Sequence, residues 1–183
     1  MGNLYLALLH FPMRSREGGI VATALTSINV PDIARTARTY GACRYYVVTP
    51  LATQRRIAER LRAFWMEEEE LPNRREAMRL VAVREELEEC YREIEEAEGE
   101  PPLVWGTSAR SDLPCPRLSW DEARALLRKR PALLLFGTGN GMADELLAAC
   151  DALLPPVRGR GYNYLSVRAA VAIILDRLKG EEA

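Results

Sequence analysis

Short apolar runs alternate with helical patterns along most of the chain, and that alternation restricts the folds open to it. LYLALLH (4–10), IVATALT (20–26), RYYVVT (44–49), PPLVWGTSA (101–109) and PALLLF (131–136) each read as a strand. ACDALLPPV (149–157) supplies a short sixth. Several are apolar throughout instead of alternating, as in strands buried on both faces. Between them PDIARTARTYG (31–41) reads as a helix, with Asn29 placed to cap it. LATQRRIAERLRAFW (51–65) carries Leu51, Ile57, Leu61, Phe64 and Trp65 on one side and arginines on the other. The spacing predicts a long charged helix over 73–99, and SWDEARALLRKR opens on a capping box of Ser119 and Glu122. YLSVRAAVAIILDRLKG (164–180) reads as a strongly apolar last helix. Strands alternating with helices predict an α/β fold: a mostly parallel sheet with helices on both faces. Residues 1–183 are expected to form one domain, with 67–100 as a charged helical segment within it.

Charge is distributed unevenly behind a net value of −1. Residues 1–66 carry 9 arginines and 3 acids, residues 67–100 carry 5 arginines and 14 acids, and residues 101–183 carry 11 basic and 9 acidic groups. The basic first third suits an anionic partner such as RNA or, equally, a solvated helix face. No apolar run approaches the ~18 residues of a membrane-spanning helix, and MGNLYLALLH has no basic region ahead of its apolar run. The expectation is a cytoplasmic protein with no membrane association. Cys43, Cys90, Cys115 and Cys150 are widely spaced and His10 is the sole histidine, so no metal site is expected.

The region with most chemistry in it is FGTGNGMADELLAAC (136–150), where Gly137, Gly139 and Gly141 separate an apolar strand from a helix. At the carboxyl edge of a parallel sheet such a turn is where α/β proteins take ligands. The dinucleotide fingerprint GxGxxG fits poorly, because the third glycine comes one residue early, and a P-loop is absent. Glycines that merely close a tight turn remain an alternative. A second glycine-bearing loop, PPVRGRGYNYLS, follows with Gly159 and Gly161, then Asn163 and Ser166. Two such loops side by side would make a mostly apolar, neutral pocket, better suited to an adenosine than to a pyrophosphate.

Three segments, TSINVPDIARTARTYG (26–41), LLFGTGNGMADELL (134–147) and LPPVRGRGYNYLSVRAAVAIILDRL (154–178), resemble the SPOUT class of RNA methyltransferases, in particular a small bacterial family within it. The resemblance implies a C-terminal deep trefoil knot and an S-adenosylmethionine pocket. Thr107 and Ser108, Gly137, Thr138, Gly139 and Gly141, and Val157, Gly159, Tyr162 and Leu165 would line that pocket. It also implies a catalytic arginine, matched here by Arg35, and an acceptor-side polar residue, matched by Asn163 or Ser166. The implied activity is methyl transfer to tRNA or rRNA, at a ribose 2′-OH or a base nitrogen, by a homodimer. Asn140 stands where the family has a bulky aromatic, and Tyr164 where it has a histidine. Two other readings remain open from the residues: a knotted binding module acting through its acidic helix, and a nicotinamide or flavin enzyme using the glycine turn.

Overall fold

The computed structural model describes residues 2–113 and 115–180, and the rest of the 1–183 span lies outside the described residues. In chain order the elements are β1 (Leu4–Leu9), β2 (Met13–Arg14), β3 (Ile20–Val21), α1 (Asn29–Thr39), β4 (Arg44–Val48), α2 (Ala52–Glu67), α3 (Pro72–Met78) and β5 (Val81–Arg84). They continue as α4 (Leu87–Glu98), β6 (Leu103–Gly106), α5 (Trp120–Leu127), β7 (Ala132–Phe136), α6 (Asp144–Ala148), β8 (Ala152–Leu153) and α7 (Val167–Lys179). Six strands form one sheet in the order β5-β4-β1-β7-β6-β8, and every pairing in it is parallel.

The all-apolar runs are buried on both faces, as their composition requires. Leu4, Leu6 and Leu8 of β1 meet α1, α5 and α7, while Tyr5, Ala7 and Leu9 face α4 and α6. Successive strand side chains point to opposite faces, so LYLALL needs an apolar cover on each.

The helix expected over 73–99 is broken into α3, β5 and α4. LVAV is a β-rich run beside the open edge of β4, and pairing Tyr45–Val48 with Val81–Arg84 buries Val81, Ala82 and Val83. A helix there would leave β4 an uncovered edge. The acids that follow start a new helix: Glu86 and Glu89 form a capping box, and Gly99 ends α4 in the left-handed conformation at φ 76°.

IVATALT also departs from expectation. Only Ile20 and Val21 pair, antiparallel with β2 and outside the main sheet. β1 already has a neighbour on each side, so the segment finds no edge there. Its amides go elsewhere, Thr23 to the His10 carbonyl at 2.8 Å and Leu25 to the Gln54 side chain at 2.6 Å. Asn29 lies inside the first turn of α1 and does not cap it. On α2 only Ala58 is fully buried, and Leu51, Ile57 and Phe64 are exposed.

Two measurements check this packing. Leu134 is fully buried in β7, and Leu134→Ala should lower unfolding free energy by about 2–5 kcal/mol in urea titrations. His10, at the end of β1, is fully buried, and burial lowers its pKa from 6.5. The unfolded chain then binds the extra proton, so stability is full above about pH 6.5 and declines as pH falls below it. Unfolding midpoints at pH 7.5 and 5.5 should differ, and His10→Gln should reduce the difference.

Candidate functional site

The sheet order creates a crevice. From β1 the chain passes by α1 to β4 on one side; from β7 it passes by α6 to β8, beyond β6 on the other side. β1 and β7 are themselves neighbours. Their outgoing loops diverge at the carboxyl edge, the position where open α/β sheets accept ligands.

A cavity of about 690 Å³ occupies this crevice. Its walls are residues 23–29 after β3, Thr107–Arg110 after β6, Phe136–Met142 after β7, Pro155–Val157 after β8, and 163–174 at the start of α7. The lining is mostly apolar, with Thr, Ser and Asn groups and, among the described residues, a single charge, Arg110. Arg110 reaches Asp144 at 2.5 Å and Asp112 at 3.2 Å, and its hydrogen bond holds the Asp112 carboxyl below the usual carboxylate range.

The glycine turn is tied to the sheet's centre. Thr138 Oγ1 donates to the Leu9 carbonyl at 2.9 Å and meets the Thr23 hydroxyl at 2.5 Å. The Arg14 amide donates to the Gly141 carbonyl at 2.9 Å, and the Ala143 amide to the Pro12 carbonyl at 3.0 Å. Gly139 and Gly141 take φ of 59° and 93°, the left-handed region that favours glycine. A Cβ on Gly137 would lie 2.8 Å from Met142 Cγ and 2.9 Å from Met142 N. Turn closure therefore accounts for much of the glycine pattern, and the resulting smooth turn still forms one cavity wall.

The structure sorts the expected site residues. Thr107, Ser108, Gly137, Thr138, Gly139, Gly141, Val157, Leu165, Asn163 and Ser166 all line the cavity. Gly159 and Tyr162 do not. Gly159 is needed because a Cβ there would strike the Tyr162 carbonyl at 2.1 Å, and the Tyr162 side chain points out to solvent, 74% exposed. Arg35 lies outside the cavity, in a groove between α1 and α7 shared with Asp32, Thr36, Tyr40, Ser166 and Arg168. Ser166 lines both spaces and joins them. It also caps α7, with Oγ accepting from the Ala169 amide at 3.4 Å. Sequence reasoning missed the 23–29 wall, because Thr23 and Thr26 were read within a sheet strand and Asn29 as a helix cap. Asn140 and Tyr164, the two departures, both line the cavity.

A family model described as SAM-dependent RNA methyltransferase matches residues 3–180. A tRNA (guanine-N(1)-)-methyltransferase of Nitratidesulfovibrio vulgaris is 43% identical over 98% of this chain, which spans only 42% of that protein. A protein of Aquifex aeolicus is 41% identical over 96% of this chain and 88% of its own length. Among solved structures, the SpoU methyltransferase AviRb of Streptomyces viridochromogenes, in complex with AdoMet, aligns with a TM-score of 0.60. That likeness runs at 20% identity over 96% of this chain and 56% of that one, and shows the fold.

The turn's geometry has a direct test. Gly137→Ala puts a methyl against Met142 backbone and should lower stability by about 1–3 kcal/mol in denaturant titrations. An unchanged midpoint would contradict the tight closure of residues 137–142.

Proposed function

The chain belongs to this family of SAM-dependent RNA methyltransferases, and we propose that it binds S-adenosylmethionine in the crevice cavity and methylates an RNA nucleophile held in the adjoining groove. The observation that carries the reading is the shared wall at Ser166, which sets a ligand-sized cavity beside a groove bearing Arg35 and Arg168. The cavity fits the cofactor on its own features: a volume within the range of small-molecule sites, apolar walls, hydroxyl and amide groups, and a glycine turn that presents main chain. Residues Gly137–Met142, Thr107, Ser108, Val157 and Leu165 would hold it. Bound there, it supplies an electrophilic methyl group on a sulfonium.

The chain's own groups supply position and proton handling. Arg35 offers a fork of donors and no acceptor; it holds a phosphate of the acceptor strand or steadies a developing oxyanion. Ser166 Oγ accepts from the Ala169 amide, so its own proton is free to donate to the acceptor nucleotide. Asp32, 3.7 Å from Arg168, is the carboxylate in the groove to receive the acceptor's proton. Holding the acceptor in line accounts for a large part of the barrier reduction in reactions of this kind.

A homodimer would complete the site. The last helix is apolar nearly all round in sequence and needs cover on most of its sides. Within the chain α1 and α5 already cover it, burying Val171, Ile174, Leu175 and Leu178. Ala169 and Ala172 remain only half-buried along the groove, a strip of small residues that suits close approach of a second α1–α7 pair. The tRNA named for the Nitratidesulfovibrio relative is one substrate class to test, since this chain matches less than half of that protein. The four free thiols fit a reducing cytoplasm.

Calorimetry should show S-adenosylmethionine binding in the micromolar to submillimolar range, about 4–8 kcal/mol. Arg35→Ala should leave that affinity within a few-fold and remove most methyl transfer to unmodified tRNA or rRNA transcripts, followed with labelled cofactor. Full activity in the variant would end the role given to Arg35. Light scattering should give twice the 20.6 kDa chain mass; a clean monomer that binds cofactor would refute the dimer.

A further inference from the structure

Among the described residues, Tyr162 and Tyr164 are the two most exposed of the large apolar side chains, at 74% and 81%. They are neither scattered nor buried by any neighbour. Their ring centroids are 5.1 Å apart with planes tilted by 56°. They stand two residues apart in the segment that leads into α7, and the ring contact puts them on one side of the chain. Tyr164 and the half-exposed Leu165 form the rim of the crevice cavity, while Tyr162 stands beyond it.

The turn that precedes them is built to hold them out. Gly161 takes φ 84°, and at Gly159 the Tyr162 carbonyl occupies the space a Cβ would need. The same short loop exposes Arg158 and Arg160. No acidic residue stands between Asp151 and Asp176, a stretch that also holds Arg168. Exposed aromatic faces beside guanidinium groups, with no nearby carboxylate in the sequence, match the chemistry of an unpaired polynucleotide: bases stack on the rings and phosphates meet the arginines.

We propose that Tyr162 and Tyr164 form a stacking platform for unpaired nucleobases of the RNA, at the mouth of the cavity and flanked by Arg158 and Arg160. This rests on the methyltransferase reading above and specifies its substrate: a single-stranded or splayed-out segment, not a continuous duplex. It also gives Tyr162 a place in recognition that does not depend on cofactor contact. Stacking is tolerant of sequence, so the platform would hold the strand while the groove at Arg35 selects the acceptor.

The test uses the full chain, a short single-stranded RNA carrying 5-iodouridine, and a duplex of the same length. Irradiation should cross-link the single strand to Tyr162 or Tyr164, located by peptide mass spectrometry. Tyr162→Ala should weaken binding of the single strand roughly five-fold or more, Tyr162→Phe should restore it, and duplex binding should change little. S-adenosylmethionine affinity, read by calorimetry, should be the same in all three proteins. Single-strand affinity unchanged in Tyr162→Ala, or cross-links only to other elements, would overturn the platform. So would failure of the wild type to bind the single strand while it still binds S-adenosylmethionine, a result that leaves the cofactor reading standing. If Tyr162→Ala instead dissociates a dimer with RNA affinity intact, the rings cover a second copy and the proposal falls.

Discussion

The pairing of β1 with β7 governs the rest of the molecule. Each is fully buried and hydrogen-bonded on both sides, so neither outgoing loop can continue into the sheet next to its own strand. One loop must leave toward β4 and the other toward β6 and β8. The gap between them is where five separate segments converge, and it exists because of strand order and not because of any single side chain.

That gap is closed at its floor and left open at its mouth. The floor is a set of short bonds from the 137–143 turn to the 9–14 segment, made by Thr138, Arg14 and Ala143. The mouth is framed by the loop 155–166 and the first turn of α7, whose Ser166 lies on both the cavity and the α1–α7 groove. In the proposed reading, cofactor and acceptor lie on either side of this one residue, the arrangement a direct group transfer needs. The acidic helix α4 lies on the opposite face of the sheet, where Glu93 pairs with Arg44 and Arg84 and Glu98 binds Asn3 and Tyr5. Part of its charge thus anchors the sheet edge, which removes much of the reason to treat it as a free docking surface.

The parallel α/β class was legible because LYLALL, YYVV and ALLLF are apolar on every residue, a pattern that only strands covered on both faces sustain. The Ser119–Glu122 box likewise marked α5 in advance. What failed was local. LVAV lies in a segment whose apolar positions, Met78, Val81, Leu87, Cys90, Tyr91 and Ile94, keep near-helical spacing, and the open edge of β4 makes it a strand. IVATALT has strand composition but no edge to join. Within the site, the two glycine loops identified most of the cavity wall. Tyr162 was misplaced because its side chain stands out in solvent beyond the rim, while the four residues after it line the cavity. The wall at Thr23–Asn29 comes from a segment more than a hundred residues away in sequence, brought close by the β1–β7 pairing.

Hydrogen exchange with and without S-adenosylmethionine tests the central claim most directly. Binding in the crevice predicts slowed exchange at residues 23–26, 107–110, 137–142 and 157–166, contributed by four separate loops, with α4 and β5 unaffected. Protection confined to α4 and the β4–β5 edge, or none at a saturating concentration of cofactor, would contradict it.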